Sequence, residues 1–257
     1  MGQSQRESKN LMAMTHNREW WTVLLLASAL MALALVLPYS APVFSYLFLA
    51  LERPVYMQEP FLGLLVQHGG LVAVSSLFAV LVGTAIGLSV MQPWGQAFKP
   101  LMDNLLAVSQ AFPPVAVLAL AVPIVGFGEL PALLALSLYG LLPVVQGTFT
   151  GLQGVPQVQR QAAFSLGLTR LQCLREVDIP LALPVWLAGV RTSVIVNIGT
   201  ATIASTVGAK TLGSPIIVGL GGFNTAYVLQ GALLVGLLAI TVDMAFERLA
   251  QRVAFQH

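Results

Sequence analysis

Three histidines (His16, His68 and His257), one cysteine (Cys173) and ten acidic residues are what this 257-residue chain offers for acid–base, nucleophilic or metal chemistry. Their spacing supports none of it. The histidines lie far apart and make no metal-ligand or proton-relay pattern, so no metal site is expected. A single cysteine excludes an internal disulfide and a cysteine-based metal cluster. There is no phosphate-binding GxxxxGK[ST] loop and no GxSxG elbow, so an ATPase or a serine hydrolase is not encoded here. Asp103 and Asp243 fall near the ends of apolar stretches and Glu129 falls in a loop. A proton- or sodium-coupled carrier would usually need a carboxylate or a broken-helix ion site at mid-membrane depth. None is evident. No catalytic residue and no cofactor bound by this chain is expected.

Two groups of residues remain. The first is the tract from Val155 to Pro184, where Arg160, Arg170, Arg175, Glu176 and Asp178 crowd together in an otherwise apolar sequence. It reads as two short helices around a glycine. Pro156 can open the first helix, because a proline at N1 loses no intrahelical bond. Gly167 can end it by taking the left-handed conformation. Thr169 and Gln172 have the T-x-x-Q spacing of a capping box, which starts the second. Pro180 and Pro184 close the tract. A charged, capped hairpin between membrane spans offers a handle to a partner in water.

The second group lies in the span that follows. Ser193, Asn197 and Thr200 recur at i, i+4 and i+7 and so share one helical face. Thr202, Ser205 and Thr206 form a second cluster. An asparagine inside a membrane is costly unless it bonds to another helix or lines a wet cavity. The face is therefore either a candidate translocation path or interhelical glue. Pro113 and Pro114 pose the same choice: a kink for packing, or a hinge along the path.

The elements that position these groups are membrane helices. The chain is 57% hydrophobic and 9% charged, against roughly 25% charged in soluble domains. Its mean hydropathy is +0.83. Net charge of +2 gives no reason to expect nucleic acid as a partner. An all-α integral membrane protein in a lipid bilayer is expected, with about six spans. They begin near Trp20 to Leu37, retained rather than cleaved as a signal peptide. Gly70 to Met91, Met102 to Val125 and Leu130 to Phe149 follow, then Pro184 to Val207 and Ala226 to Phe246. Gly83 and Gly87 carry a small-residue spacing that suits close helix packing. Residues 38–68 and 208–224 are too interrupted to cross. The expected organisation is a cytoplasmic segment 1–19, a first span and external segment 20–68, a transmembrane domain 69–250 and a cytoplasmic tail 251–257. Nine of the twelve basic residues fall on the side of both termini and the hairpin, which the positive-inside rule makes cytoplasmic.

At this point the residues resemble a known family. QAAFSLGLTRLQCLREVDIP (161–180) is similar to the EAA loop of ABC importer permeases. Ala162, Ala163, Gly167, Val177, Ile179 and Pro180 fall on that pattern, and Gln161 stands where glutamate is usual. SQAFPPVAVLALAVPIVGFG (109–128), ALPVWLAGVRTSVIVNIGTATIASTVGA (182–209) and TLGSPIIVGL (211–220) extend the likeness to permeases of osmoprotectant importers, the Yeh-type glycine betaine uptake branch among them. The resemblance implies a type I importer permease with a cytoplasmic coupling-helix hairpin, in a bacterial inner membrane with both termini inside. It implies ABC ATPase subunits that hold ATP and Mg. It also implies an external substrate-binding protein and a second permease subunit, identical or paralogous. Gln161, Ala162, Ala163, Gly167, Val177, Ile179 and Pro180 would form the ATPase-coupling loop, with Ala162 and Ala163 as a small face entering a groove. Another small solute such as an amino acid, or an ion-coupled carrier, is the alternative.

Overall fold

The computed structural model describes residues 20–92, 95–102, 104 and 113–254. The expected segment 1–19, Asp103 and the end of the tail lie outside these. Among the described residues the chain is helical, with no strand. We number the helices α1 (Trp20–Tyr39), α2 (Ala41–Leu47), α3 (Phe61–Met91), α4 (Pro114–Val125), α5 (Glu129–Gln153), α6 (Gln157–Ser165), α7 (Arg170–Cys173), α8 (Ile179–Ile203), α9 (Ser214–Gly221) and α10 (Thr225–Ala254). Among the described residues, five helical stretches are long and apolar enough to cross a membrane: α1, α3, α5, the run Arg170–Val207 and Thr225–Val253.

One boundary differs from expectation, and one expected break is found. The second span starts at Phe61, nine residues before Gly70. Gln67 and His68 look like a polar end in the sequence, yet His68 is fully buried inside α3. The expected third span breaks at Pro113, which is extended (ψ 140°), and α4 starts at Pro114. Proline disfavours a helical conformation in the residue before it, and Pro114 imposes that on Pro113. The 12 residues of α4 reach only ~18 Å.

Small residues set the packing of α3, α5 and α8. A Cβ on Gly87 would lie 2.6 Å from the Thr148 Cβ, and one on Gly83 3.0 Å from the Val144 Cβ. Gly83 and Gly87 thus serve contact within the chain. A Cβ on Gly147 of α5 would lie 2.9 Å from the Cα of Gly189 in α8, so these two backbones touch. In a bilayer such contact and interhelical hydrogen bonds replace the hydrophobic effect as the force between helices.

The other end of the chain is strapped down. Leu30, Phe44, Tyr56, Phe61, Leu212 and Leu234 share one core that joins α1, α2 and α3 to α9 and α10. Gln230 of α10 accepts from the Tyr56 amide (3.0 Å) and donates to the Pro54 carbonyl (2.7 Å). Tyr56 donates its hydroxyl to Glu59 (2.9 Å). Burial, and next that carboxylate, push the phenol above its ordinary range. The expected non-spanning segment 208–224 holds only the eight-residue α9.

Candidate functional site

The hairpin is built from local rules, and most of its expected punctuation is found. Pro156 is the N-cap of α6 rather than its first residue. Gly167 has φ +85°. Its amide donates to the Phe164 carbonyl (3.0 Å) and that of Leu168 to the Ala163 carbonyl (3.1 Å). This is the paired-bond Schellman ending, in which a left-handed residue satisfies orphan carbonyls. Thr169 and Gln172 then cap α7 reciprocally: the Thr169 amide donates to Gln172 Oε1 (2.9 Å) and the Gln172 amide to Thr169 Oγ1 (3.4 Å).

The hairpin does not end at Pro180. From Arg170 the chain runs helically to Val207 without a break. Leu174–Asp178 form a single π turn, in which the Ile179 amide reaches back five residues to the Leu174 carbonyl. Pro180 follows one residue after that turn. A π turn inserts one extra residue into a helix and commonly marks functional sites. The expected pair of separate elements, hairpin and span, is therefore one rod.

The residues expected to form a coupling loop divide by exposure. Gln161 and Ala162 are exposed, and Ile179 is 39% exposed. Val177 and Pro180 are half-buried. Ala163 is buried, so the small face expected from Ala162 and Ala163 together is carried by Ala162 alone. Around Ala162, Val158 (75%) and Leu166 (81%) are open to solvent at i−4 and i+4. That leaves an apolar stripe on α6 facing outward.

Sequence reasoning passed over Arg160 as a site residue. Its Nε donates to Asp178 Oδ1 (2.7 Å) and its Nη2 to the Leu152 carbonyl (2.7 Å). One guanidinium thus satisfies a carbonyl at the end of α5 and holds α6 against the π turn. A cavity of ≈610 Å³ lies beside this clamp, between the hairpin and the end of α3. The signal in the sequence was only an arginine and an aspartate 18 residues apart.

Ser193, Asn197 and Thr200 are brought together, on the buried side of α8. Asn197 Nδ2 donates to Ser76 Oγ (3.0 Å) and Ser75 Oγ (3.3 Å) of α3. The missing side chain of Gly140 makes room for Asn197 and Ser193 on the α5 side. In this conformation Ser193 and Asn197 fill a junction of α3, α5 and α8, and Thr200 is buried on the same helix. Pro113 is exposed and Pro114 half-buried at the start of α4. Arg191 forms a two-pronged ion pair with Asp243 of α10, both bonds 2.6 Å. Glu247 lies 3.7 Å from the same guanidinium.

Comparison with known proteins adds four findings. Residues 79–255 match the model of the family described as binding-protein-dependent transport system inner membrane component. The osmoprotectant import permease protein OsmY of Salmonella typhimurium is 37% identical over 188 residues, covering 73% of this chain and 80% of that protein. The glycine betaine/carnitine/choline transport system permease protein OpuCB of Bacillus subtilis is 37% identical over 173 residues, covering 65% and 80%. Among solved structures, an inward-facing MetNI methionine ABC transporter chain superposes with TM-score 0.66 at 23% identity, covering 77% of this chain and 99% of that one. At that identity the superposition speaks for the fold.

Proposed function

The chain belongs to the family of binding-protein-dependent transport system inner membrane components, and on that premise we propose that it is the permease subunit through which an ATP-driven importer takes up a compatible solute such as glycine betaine. The observation that carries the reading is the 37% identity with osmoprotectant permeases, over four-fifths of their length. The hairpin supplies the means. Its exposed stripe of Val158, Ala162 and Leu166 offers an apolar ridge to a groove in an ATPase subunit that holds ATP and Mg. Gln161 flanks that ridge without a charge, so contact there rests on hydrogen bonding. Movement of the hairpin enters the membrane through the unbroken helix from Arg170 to Val207. Nucleotide would thereby bias two arrangements of the spans, which is a population shift driven by differential binding.

In this reading the hairpin and both termini face the cytoplasm, and Arg53, Glu59 and Lys210 face an external solute-binding protein. A second permease subunit completes the path. The proposal is tested by reconstituting the chain with its ATPase and binding-protein partners in liposomes. ATP-dependent accumulation of radiolabelled glycine betaine, choline or carnitine is expected. Uptake of methionine or histidine in their place would overturn the solute class. Uptake on an ion gradient without the ATPase would overturn the importer reading.

A further inference from the structure

Two cavities adjoin where the hairpin meets the spans. The larger is the ≈610 Å³ space beside the Arg160–Asp178 clamp, with Met91, Gln92, Arg170 and Leu174 also on its wall. The smaller, ≈190 Å³, lies between the last turns of α3 and α5 and the first turns of α8, against Thr84, Thr148, Ile179, Leu183 and Trp186. Leu88 and Leu152 border both. Together the cavities form one cleft, charged at the hairpin and apolar among the spans.

The charged end is unbalanced. Arg160 is engaged by Asp178 and by the Leu152 carbonyl. Arg170 is exposed, and among the described residues no hydrogen bond or ion pair holds its side chain. Two arginines against one aspartate leave a positive charge over. At the apolar end the polar side chains are already engaged. Thr84 accepts from the Trp186 indole (2.9 Å), and Thr148 donates to the Val144 carbonyl of its own helix (2.7 Å). Water needs several polar partners to enter such a cavity, whereas a hydrocarbon chain needs none.

We propose that this cleft binds an anionic phospholipid, with its phosphate at Arg170 and one acyl chain in the cavity beside Trp186. The guanidinium fork matches phosphate oxygens, and basic pockets between helices at a membrane surface hold anionic head groups. The length fits as well. Arg170 and Trp186 lie ~24 Å apart along the continuous helix. The hydrocarbon of one leaflet covers ~15 Å of that, and the head group with the arginine side chain covers the rest. A free phosphate would answer the charge of Arg170 and leave the apolar cavity empty. The bound lipid fills the joint between hairpin and span, beside the π turn. The site goes beyond the importer reading and does not depend on it.

The test uses the full-length chain in lipid nanodiscs, with Trp20→Phe, Trp21→Phe and Trp94→Phe, so that Trp186 is the one tryptophan left. Bromine on an acyl chain quenches indole fluorescence at contact range. Brominated phosphatidylglycerol is compared with brominated phosphatidylcholine, each at the same low fraction in unbrominated phosphatidylcholine. At least ~3-fold stronger quenching by the anionic lipid is expected. Arg170→Gln should abolish that preference. Arg175→Gln should keep it, because Arg175 is an exposed hairpin arginine outside the cleft. Equal quenching by the two lipids would overturn the proposal. So would an equal loss in both arginine variants, the mark of surface charge alone. Inorganic phosphate is the second probe: if it removes the preference, the site takes a free anion and the lipid assignment fails. If Arg170→Gln does not fold, unbrominated phosphatidylglycerol decides as competitor, and failure to restore the fluorescence counts against the site. Quenching needs neither solute nor ATPase, so its failure is distinct from a failure of betaine uptake.

Discussion

Arg160 and Asp178 are 18 residues apart in sequence and 2.7 Å apart in space, and their contact joins the two arms of the hairpin. The same arginine also caps Leu152 at the end of α5. Because both side chains are largely shielded (28% and 15% exposed), removing either leaves a partly buried partner unsatisfied. Arg160→Ala and Asp178→Asn should each lower stability by about 1–3 kcal/mol. Coupling should suffer more than folding, so ATP hydrolysis should persist with little uptake. Melting in detergent and a hydrolysis-to-uptake ratio check this. Exchanging the two residues should recover little, since a reversed pair cannot cap Leu152.

Gly167 meets nothing within 4 Å, yet it holds φ +85°. Substitution there costs backbone strain alone. Gly167→Ala is expected to destabilise the hairpin by about 1–2 kcal/mol. Gly167→Asn should cost less, because asparagine tolerates that region. Gly167→Pro cannot adopt it and should uncouple hydrolysis from uptake while the protein remains in the membrane. Hydrogen exchange over residues 163–172 gives the local reading.

Gly87 and Gly70 lie on the same helix and should respond in opposite ways. Gly87→Ala forces a Cβ into Thr148 and is expected to cost about 1–3 kcal/mol through overpacking. Gly70→Ala meets open space and should be neutral or stabilising by up to about 1 kcal/mol, through better helix propensity. Paired melting curves distinguish the two sites.

Asn197→Ala should remove two interhelical hydrogen bonds and cost about 1 kcal/mol. The loss is moderated because Asn197 Oδ1 is itself buried without a partner. Transport should persist with an unchanged KM for the solute. A raised KM with unchanged melting would instead place this residue on the path.

How far these features could be read from sequence follows from their range. The cap at Thr169 and the turn at Gly167 depend on residues within one turn of each other, so the sequence spells them directly. The polar spacing of Ser193, Asn197 and Thr200 correctly marked one face of a helix. It could not say where that face points, because Ser75, Ser76 and Gly140 decide that from over fifty residues away. Pro180 and Pro184 close the charged tract in the sequence, yet the helix runs on through both. The ion pair of Arg191 with Asp243 joins residues 52 apart in sequence, which only the side-by-side packing of α8 and α10 brings together. The direction of the Asn197 face and the Arg191–Asp243 pair share one cause: neighbours distant in sequence decide them.

The touching backbones of Gly147 and Gly189 have a mechanical consequence. Gly189 sits ~28 Å from Arg170 and ~27 Å from Val207 along the continuous helix, at 1.5 Å per residue. A lever pivoted there has arms of nearly equal length. Any tilt about that fulcrum moves the two ends by similar distances in opposite directions. The far end is not loose, since the Gly128 amide donates to the Val207 carbonyl (2.7 Å). A push on the hairpin would therefore swing the α4–α5 turn the other way, a seesaw with glycine on both sides of its hinge.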